Sequence, residues 1–135
     1  MSLTDHSWFS NIRRPSRYIG NEINSRKKNP GEIEISIALA FPDVYEVGMS
    51  HQGLKILYHL LNYYEWISAE RVFSPWIDLE KELRARNIPL SSLESEKPLK
   101  DFDIVGFSLQ HELTYTNLLN ILDLSGIPFL SGGLL

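Results

Sequence analysis

From Glu32 onward the chain alternates. Ile33, Ile35, Ile37, Leu39 and Phe41 take every second position, between Glu34, Ser36, Ala38 and Ala40. A period of two predicts a strand over 32–41. The second face changes from Glu to Ser to Ala, so burial on both sides is expected to rise toward the C-terminal end. Phe41-Pro42-Asp43 breaks the strand. Leu54, Leu57, Tyr58 and Leu61 then recur at helical spacing behind Ser50, a residue type that caps helices, which predicts a helix from about His51 to Tyr64. A short strand is expected over 69–73. Ser74-Pro75 supplies an N-cap and a first-turn proline for a helix whose apolar stripe is Trp76, Leu79 and Leu83, ending near Arg86.

The second half repeats the scheme. Asn87-Ile88-Pro89 stops one helix and Gly126-Ile127-Pro128 stops another, an internal echo of a helix–strand unit. The nearly continuous apolar run Asp103–Ser108 suits a central parallel strand buried on both faces. Leu90–Leu93 lies only about nine residues before it, and a parallel crossover usually needs a dozen or more. Leu90–Leu93 is therefore either a strand with an abbreviated crossover or an irregular edge. A helix over Leu113–Leu124 turns Leu118, Ile121 and Leu122 inward, with Gly126 at C′. Ile127–Leu130 reads as a last short strand before Gly132-Gly133.

Strand–helix alternation at this spacing predicts an α/β fold, a Rossmann-like (flavodoxin-like), mostly parallel sheet with helices on both faces. Its core is expected to hold Ile35, Ile37, Leu39, Ile104, Val105 and Phe107 under Leu54, Leu57, Leu61, Leu118 and Leu122. Residues 1–31 form an irregular N-terminal arm and linker, with a short helix expected near Ser7–Arg13. Residues 32–135 form the domain proper.

Composition narrows the picture. The chain has 135 residues, 43% of them hydrophobic and 22% charged, which is a globular balance. It carries no run long enough to span a membrane and no secretory leader, so a cytoplasmic protein is expected. The net charge of −4 hides an asymmetry: residues 1–30 carry six basic and two acidic groups, the remainder seven and fifteen. An acidic body argues against broad nucleic-acid binding, and the basic arm is expected to pack back onto it. The absence of cysteine rules out disulfides, thiol catalysis and any thiolate-held iron–sulfur cluster on this chain.

In such sheets ligands sit beyond the carboxyl ends of the strands. The loop after the first strand, Pro42–His51, is polar and contains Gly48, but it lacks the glycine patterns of nucleotide-phosphate loops. It reads either as a ligand loop or as a structural turn formed by Asp43. The later loop Ser108-Leu109-Gln110-His111-Glu112 places small polar groups at a strand end. Four histidines without paired spacing make no metal site, and Ser50-His51 has no acidic partner for a nucleophilic triad. Arg14 and Arg17 flank a Pro-Ser turn that suits either a phosphate or the chain's own carboxylates.

Several long blocks carry a resemblance. They are Pro15–Asn24, Ala38–His51, Leu54–His59, Glu70–Phe73 with Pro75-Trp76, Ser92–Ser95, Asp103–Gln110 and Leu113–Asn117. Together they resemble the N-terminus of a bacterial family of cobalamin-binding-domain radical S-adenosylmethionine proteins, over about residues 8 to 128. The resemblance implies a cobalamin-module relative with a site made of Asp43, Tyr45, Gly48, Ser108, Gln110, Gly132 and Gly133. It implies cobalamin as cofactor and a radical S-adenosylmethionine catalytic domain or subunit as partner. Such modules carry Asp-x-His-x-x-Gly after the first strand, Ser-x-Leu after a later one and Gly-Gly after the last. Here Asp43-x-Tyr45-x-x-Gly48 puts tyrosine where the cobalt-ligating histidine stands, and Gln110 replaces leucine. Gly132-Gly133 follows a shortened approach, so the domain reads as truncated at its C-terminal end. A phenol is a poor cobalt ligand, so a bound cobalamin is expected to lack a protein histidine. The chain is not expected to be catalytic by itself, because the cluster ligands are missing. The alternative is a protein-docking or substrate-recognition α/β domain that binds no cobalamin.

Overall fold

The computed structural model describes residues 11–13, 25–26 and 28–130. Three apolar stretches pair side by side: β1 (Ile35–Phe41), β2 (Ile67–Phe73) and β3 (Ile104–Phe107). All pairs are parallel and the order is β2-β1-β3. The connections carry α1 (Tyr45–Met49), α2 (Gln52–Asn62), α3 (Ile77–Arg86) and α4 (Thr114–Leu124). The result is the expected α/β fold of Rossmann and flavodoxin type.

The order explains the layers. The chain steps from β1 out to β2, then back across β1 to β3. Right-handed crossovers in opposite directions put their helices on opposite faces. On one face Ala38, Ala40 and Val72 meet Leu79 and Leu83 of α3 and Ile121 and Leu124 of α4. On the other, Leu39, Phe41, Ala69 and Phe73 meet Leu54 and Tyr58 of α2. Burial rises along β1: Ile35 and Ile37 are part-exposed, Ser36 is buried, and the last four residues are all buried.

Described parts of the arm lie against this body. Ile12 is buried in the α3–α4 layer, and the Arg13 N–H donates to Asp78 Oδ2 at 3.0 Å. The Arg26 N–H donates to the Tyr58 hydroxyl at 2.7 Å. Lys28 Nζ donates to the carbonyls of Asn62 at 2.9 Å and Tyr64 at 2.7 Å. A cation there complements the negative end of α2. The Arg14–Glu22 motif lies outside the described residues, as does most of the helix expected near Ser7–Arg13.

The two helix stops are one device used twice. Asn87 at φ 52° and Gly126 at φ 70° are both left-handed. The next residue turns its N–H back: Ile88 to the Leu83 carbonyl at 3.0 Å, Ile127 to that of Leu122 at 2.9 Å. This closure satisfies carbonyls that a helix end otherwise leaves open.

Several expectations need correction. β1, not β3, is the central strand, and β3 lies at the edge of the described sheet. Ile104 is accordingly 51% exposed. Leu57 is also exposed, because Leu54 and Tyr58 already fill the α2 face toward the sheet. Leu90–Leu93 is the irregular edge and not a strand; its neighbourhood contains only a single antiparallel bridge, Ser91 to Pro98. Ile127–Leu130 forms no strand, and Phe129 and Leu130 are exposed. The first loop contains a helix, α1, that polar composition concealed. His51 and not Ser50 caps α2, its Nδ1 accepting from the Leu54 N–H at 3.1 Å. Ser50 instead donates back to the Glu46 carbonyl at 2.8 Å. α3 begins at Ile77 with Trp76 as its cap, two residues later than Ser74-Pro75 suggests, and Trp76 is exposed.

Leu39 sits on the central strand and is buried. Leu39→Ala is expected to cost about 2–5 kcal/mol, as a cavity in a packed core does. A denaturant midpoint equal to that of the wild type would contradict the placement of β1.

Candidate functional site

The loops beyond the strand ends are tied together by main-chain bonds. The Ser74 N–H, just after β2, donates to the Asp43 carbonyl at 2.8 Å. Asp43 Oδ1 accepts from the Val44 N–H at 2.7 Å. The Asn117 side chain, from α4, donates to the Pro42 carbonyl at 3.0 Å. Between these elements opens a cavity of about 230 Å³ walled by Asp43, Ser74, Trp76, Glu80, Asn117 and Asn120, among others. It lies where ligands of parallel sheets are found. Its walls are rich in carboxylate and amide groups. Arg84 bonds to Glu80 at 3.2 Å and Asn120 at 2.8 Å, so part of that polarity is already engaged.

Of the cofactor-site residues that the resemblance implies, Asp43 alone among the described ones lines this cavity. Tyr45 starts α1 and meets Phe73 edge to face, with ring centroids 5.7 Å apart. Gly48 is buried against the same ring. A Cβ added to Gly48 would stand 2.1 Å from Phe73 Cε1. The close approach that glycine allows here is thus to Phe73 of the neighbouring strand. The Ser108 N–H extends the β3–β1 ladder to the Ala40 carbonyl at 3.1 Å. Gln110 is exposed, as are His111 and Glu112. Gly132 and Gly133 lie outside the described residues.

These positions bear on cobalamin. The corrin needs an axial donor or a broad open face, and its tail needs a slot. Tyr45 offers a phenol in place of imidazole, and the space at Gly48 holds a core aromatic. Cavities for drug-sized ligands run to roughly 300–1,000 Å³, and cobalamin is larger than such ligands. The described residues do not fit a histidine-ligated cobalamin. A thiolate-held cluster does not fit either, because the chain has no cysteine.

The most elaborate polar structure lies elsewhere, along the outer edge of β2. The Ala69 N–H donates to Asn62 Oδ1 at 3.0 Å, and Asn62 Nδ2 donates to the Ala69 carbonyl at 2.9 Å. The Arg71 N–H donates to Glu94 Oε2 at 2.8 Å, and the Leu93 N–H donates to the Arg71 carbonyl at 2.8 Å. Lys28 reaches the Ile67 carbonyl. Glu94 is fully buried and pairs with Arg71 Nε at 2.7 Å. The guanidinium also lies 4.2 Å from the centre of the Tyr58 ring. Burial pushes the Glu94 carboxyl above the ordinary glutamate range, and Arg71 opposes part of that rise. On the opposite face, Glu70 Oε2 accepts from Ser92 at 2.9 Å and Ser95 at 2.8 Å. Glu70-Arg71 and Ser92–Ser95 are therefore one clasp. Sequence reasoning treated them as separate blocks. The signal was an acid–base pair inside a strand otherwise fit for full burial.

The chain belongs to the family described as radical SAM proteins, N-terminal, where SAM is S-adenosylmethionine; the family model matches residues 53–132, more than half of the chain. The match runs from the first turn of α2 past α4 and includes the whole clasp. Searches of curated proteins and of solved structures give no match. Among the described residues no helix is long and apolar enough to cross a membrane.

Two outcomes test these geometries. Gly48→Ala is expected to destabilise the domain by about 1–3 kcal/mol, as overpacking does. Phe73→Leu in the same chain should recover part of that loss, read as a coupling energy in a double-mutant cycle of unfolding. The second concerns acid. Asp103 Oδ2 accepts from the Ser36 N–H at 2.8 Å and the Ser36 hydroxyl at 3.0 Å. These bonds, the backbone donor foremost, hold its carboxyl below the ordinary aspartate range. A lowered folded value contributes stability above the unfolded value, near pH 4, that is lost as pH falls through the folded value. Asp103→Asn should flatten the acid limb of the stability–pH curve in that window. An unchanged limb would remove Asp103 from the account.

Proposed function

We propose that this domain is a docking module for a radical S-adenosylmethionine catalytic region, holding no cobalamin of its own. The observation that carries this reading is the packing of Phe73 into the niche at Gly48 with Tyr45 edge-on against it. The first loop is spent on joining β1 to β2. Family membership supplies the partner, since the radical chemistry requires a cysteine-held cluster that another region must provide. The domain contributes a rigid sheet and shaped surfaces, and the partner contributes the reaction.

A second reading keeps cobalamin over the strand ends. It draws on the β2-β1-β3 parallel order and on Asp43 in the cavity wall at that end. It involves Asp43, Tyr45, Gly48, Ser108 and Gln110, with Gly132 and Gly133 toward the tail.

Incubation with hydroxocobalamin, desalting and a visible spectrum separates the two. The docking reading expects no retained corrin absorbance with the wild type or with Tyr45→His. Stoichiometric retention by the wild type would overturn it. Retention by Tyr45→His alone, with an imidazole–cobalt spectrum, would show that the site needs only its ligand and would favour the second reading.

A further inference from the structure

The sheet face that carries α3 and α4 changes character at its amino end. Side chains alternate between faces, so Ser36, Ala38 and Ala40 of β1 share this face with their register partners Ser68, Glu70 and Val72 of β2. Ala38, Ala40 and Val72 pack under the two helices. Ser36, Ser68 and Glu70 instead meet the loop 95–103. They line a cavity of about 370 Å³ with Ser95, Lys97 and Phe102, among others. That volume lies in the range of small-molecule sites.

Glu70 is the deepest acid of the lining. It is 5% exposed. Its Oε2 accepts from the Ser92 and Ser95 hydroxyls at 2.9 and 2.8 Å. The exposure that Glu70 retains lies in the cavity wall, where Oε1 receives no bond among the described residues. A nearly buried carboxylate with one oxygen anchored and the other open is a waiting acceptor.

The rest of the lining says which donor. Glu34, Asp101 and Asp103 line the cavity and are exposed, so they belong to its solvent side. Its two cations are Lys28 and Lys97. Lys28 is spent on the carbonyls of Asn62, Tyr64 and Ile67. Lys97 Nζ donates to Ser36 Oγ at 3.3 Å and rests 4.7 Å from the centre of the Phe102 ring. An ammonium over an aromatic face is favourable, so this wall already accepts the kind of group the acids call for. Carboxylates outnumber cations four to two, and the field in the cavity favours a positive ligand. Pro30, Ile33 and Phe102 add apolar surface. A metal ion does not suit these groups: among the described residues no three histidine, aspartate or glutamate side chains converge to hold one.

We propose that this cavity binds a short aliphatic diamine. One ammonium donates to Glu70 Oε1, the methylene chain lies against Ile33 and Phe102, and the second ammonium meets the carboxylates on the solvent side. The site lies at the amino end of the sheet, away from the Asp43 loops, so it goes beyond the docking reading and stands or falls without it.

The test titrates the whole chain with diaminobutane, read by calorimetry and by NMR amide shifts. The expected result is one-to-one binding with shifts centred on Ser68, Glu70 and Lys97. Butanediol, of the same length without charge, should not bind. Glu70→Gln keeps an acceptor for Ser92 and Ser95 and should weaken binding at least tenfold, with the unfolding midpoint as the control for folding. Lys97→Met removes the resident ammonium and should tighten binding at least threefold. If Glu70→Gln does not fold, the Lys97→Met affinity and the location of the shifts decide. No binding of diaminobutane, equal binding of butanediol, shifts scattered over the acidic surface, or an affinity that ignores Glu70→Gln would each overturn the proposal. Calcium that binds in place of the diamine and moves the same amides would overturn it in favour of a metal site.

Discussion

The architecture depends on a buried carboxylate that completes a strand edge. A parallel strand at the rim of a sheet exposes every second N–H and carbonyl, and burying them unpaired costs free energy comparable to a lost hydrogen bond. Arg71 in β2 meets this problem at a fully buried position. Glu94 resolves it by binding the Arg71 main chain and side chain together, at 2.8 and 2.7 Å. Removing one partner of such a pair is far worse than lacking both, because a lone charge remains in the interior. Glu94 and Arg71 thus require each other. The intervening chain, from α3 through residue 94, must return to β2 before it can enter β3.

That requirement accounts for the least regular part of the molecule. After Asn87 the chain does not go directly to β3, although β3 begins only 17 residues later. It first lays Leu90 into the core beside Leu99 and Phe102, then wraps the edge of β2 with residues 92–95. Lys97 then returns it to Ser36 at 3.3 Å, at the root of β1. An extra strand over Leu90–Leu93 is incompatible with this course. Ser92 and Glu94 would have to abandon bonds to two different faces of β2.

The legibility of the sequence follows from the range of the forces involved. β1 was legible because its alternation is local, and its rising burial followed from Glu34, Ser36 and Ala38. Both helix stops were legible because a left-handed residue followed by Ile-Pro is a local constraint. The position of β3 was not legible. Its apolar run matches a central strand equally well, and only pairing partners decide between centre and edge. His51 as the cap of α2 was missed because Ser50 has the stronger intrinsic preference, and the backbone turn ending α1 claims Ser50 first. In the candidate site, Asp43 was left open between a ligand residue and a turn former, and its Oδ1 accepts from the adjacent Val44 N–H. Gly48 was placed in the implied cofactor site, and what packs against it is an aromatic from β2, a partner 25 residues away that no local pattern announces.

Function then turns on where polar investment has been made. A ligand-binding loop keeps donors and backbone free at the strand ends. Here the Asp43 carbonyl is given to Ser74, the Pro42 carbonyl to Asn117, and the N-terminus of α2 is capped from within by His51. Strand-end loops whose polar groups are bound to one another hold their shape, and that is the property the docking reading asks of them.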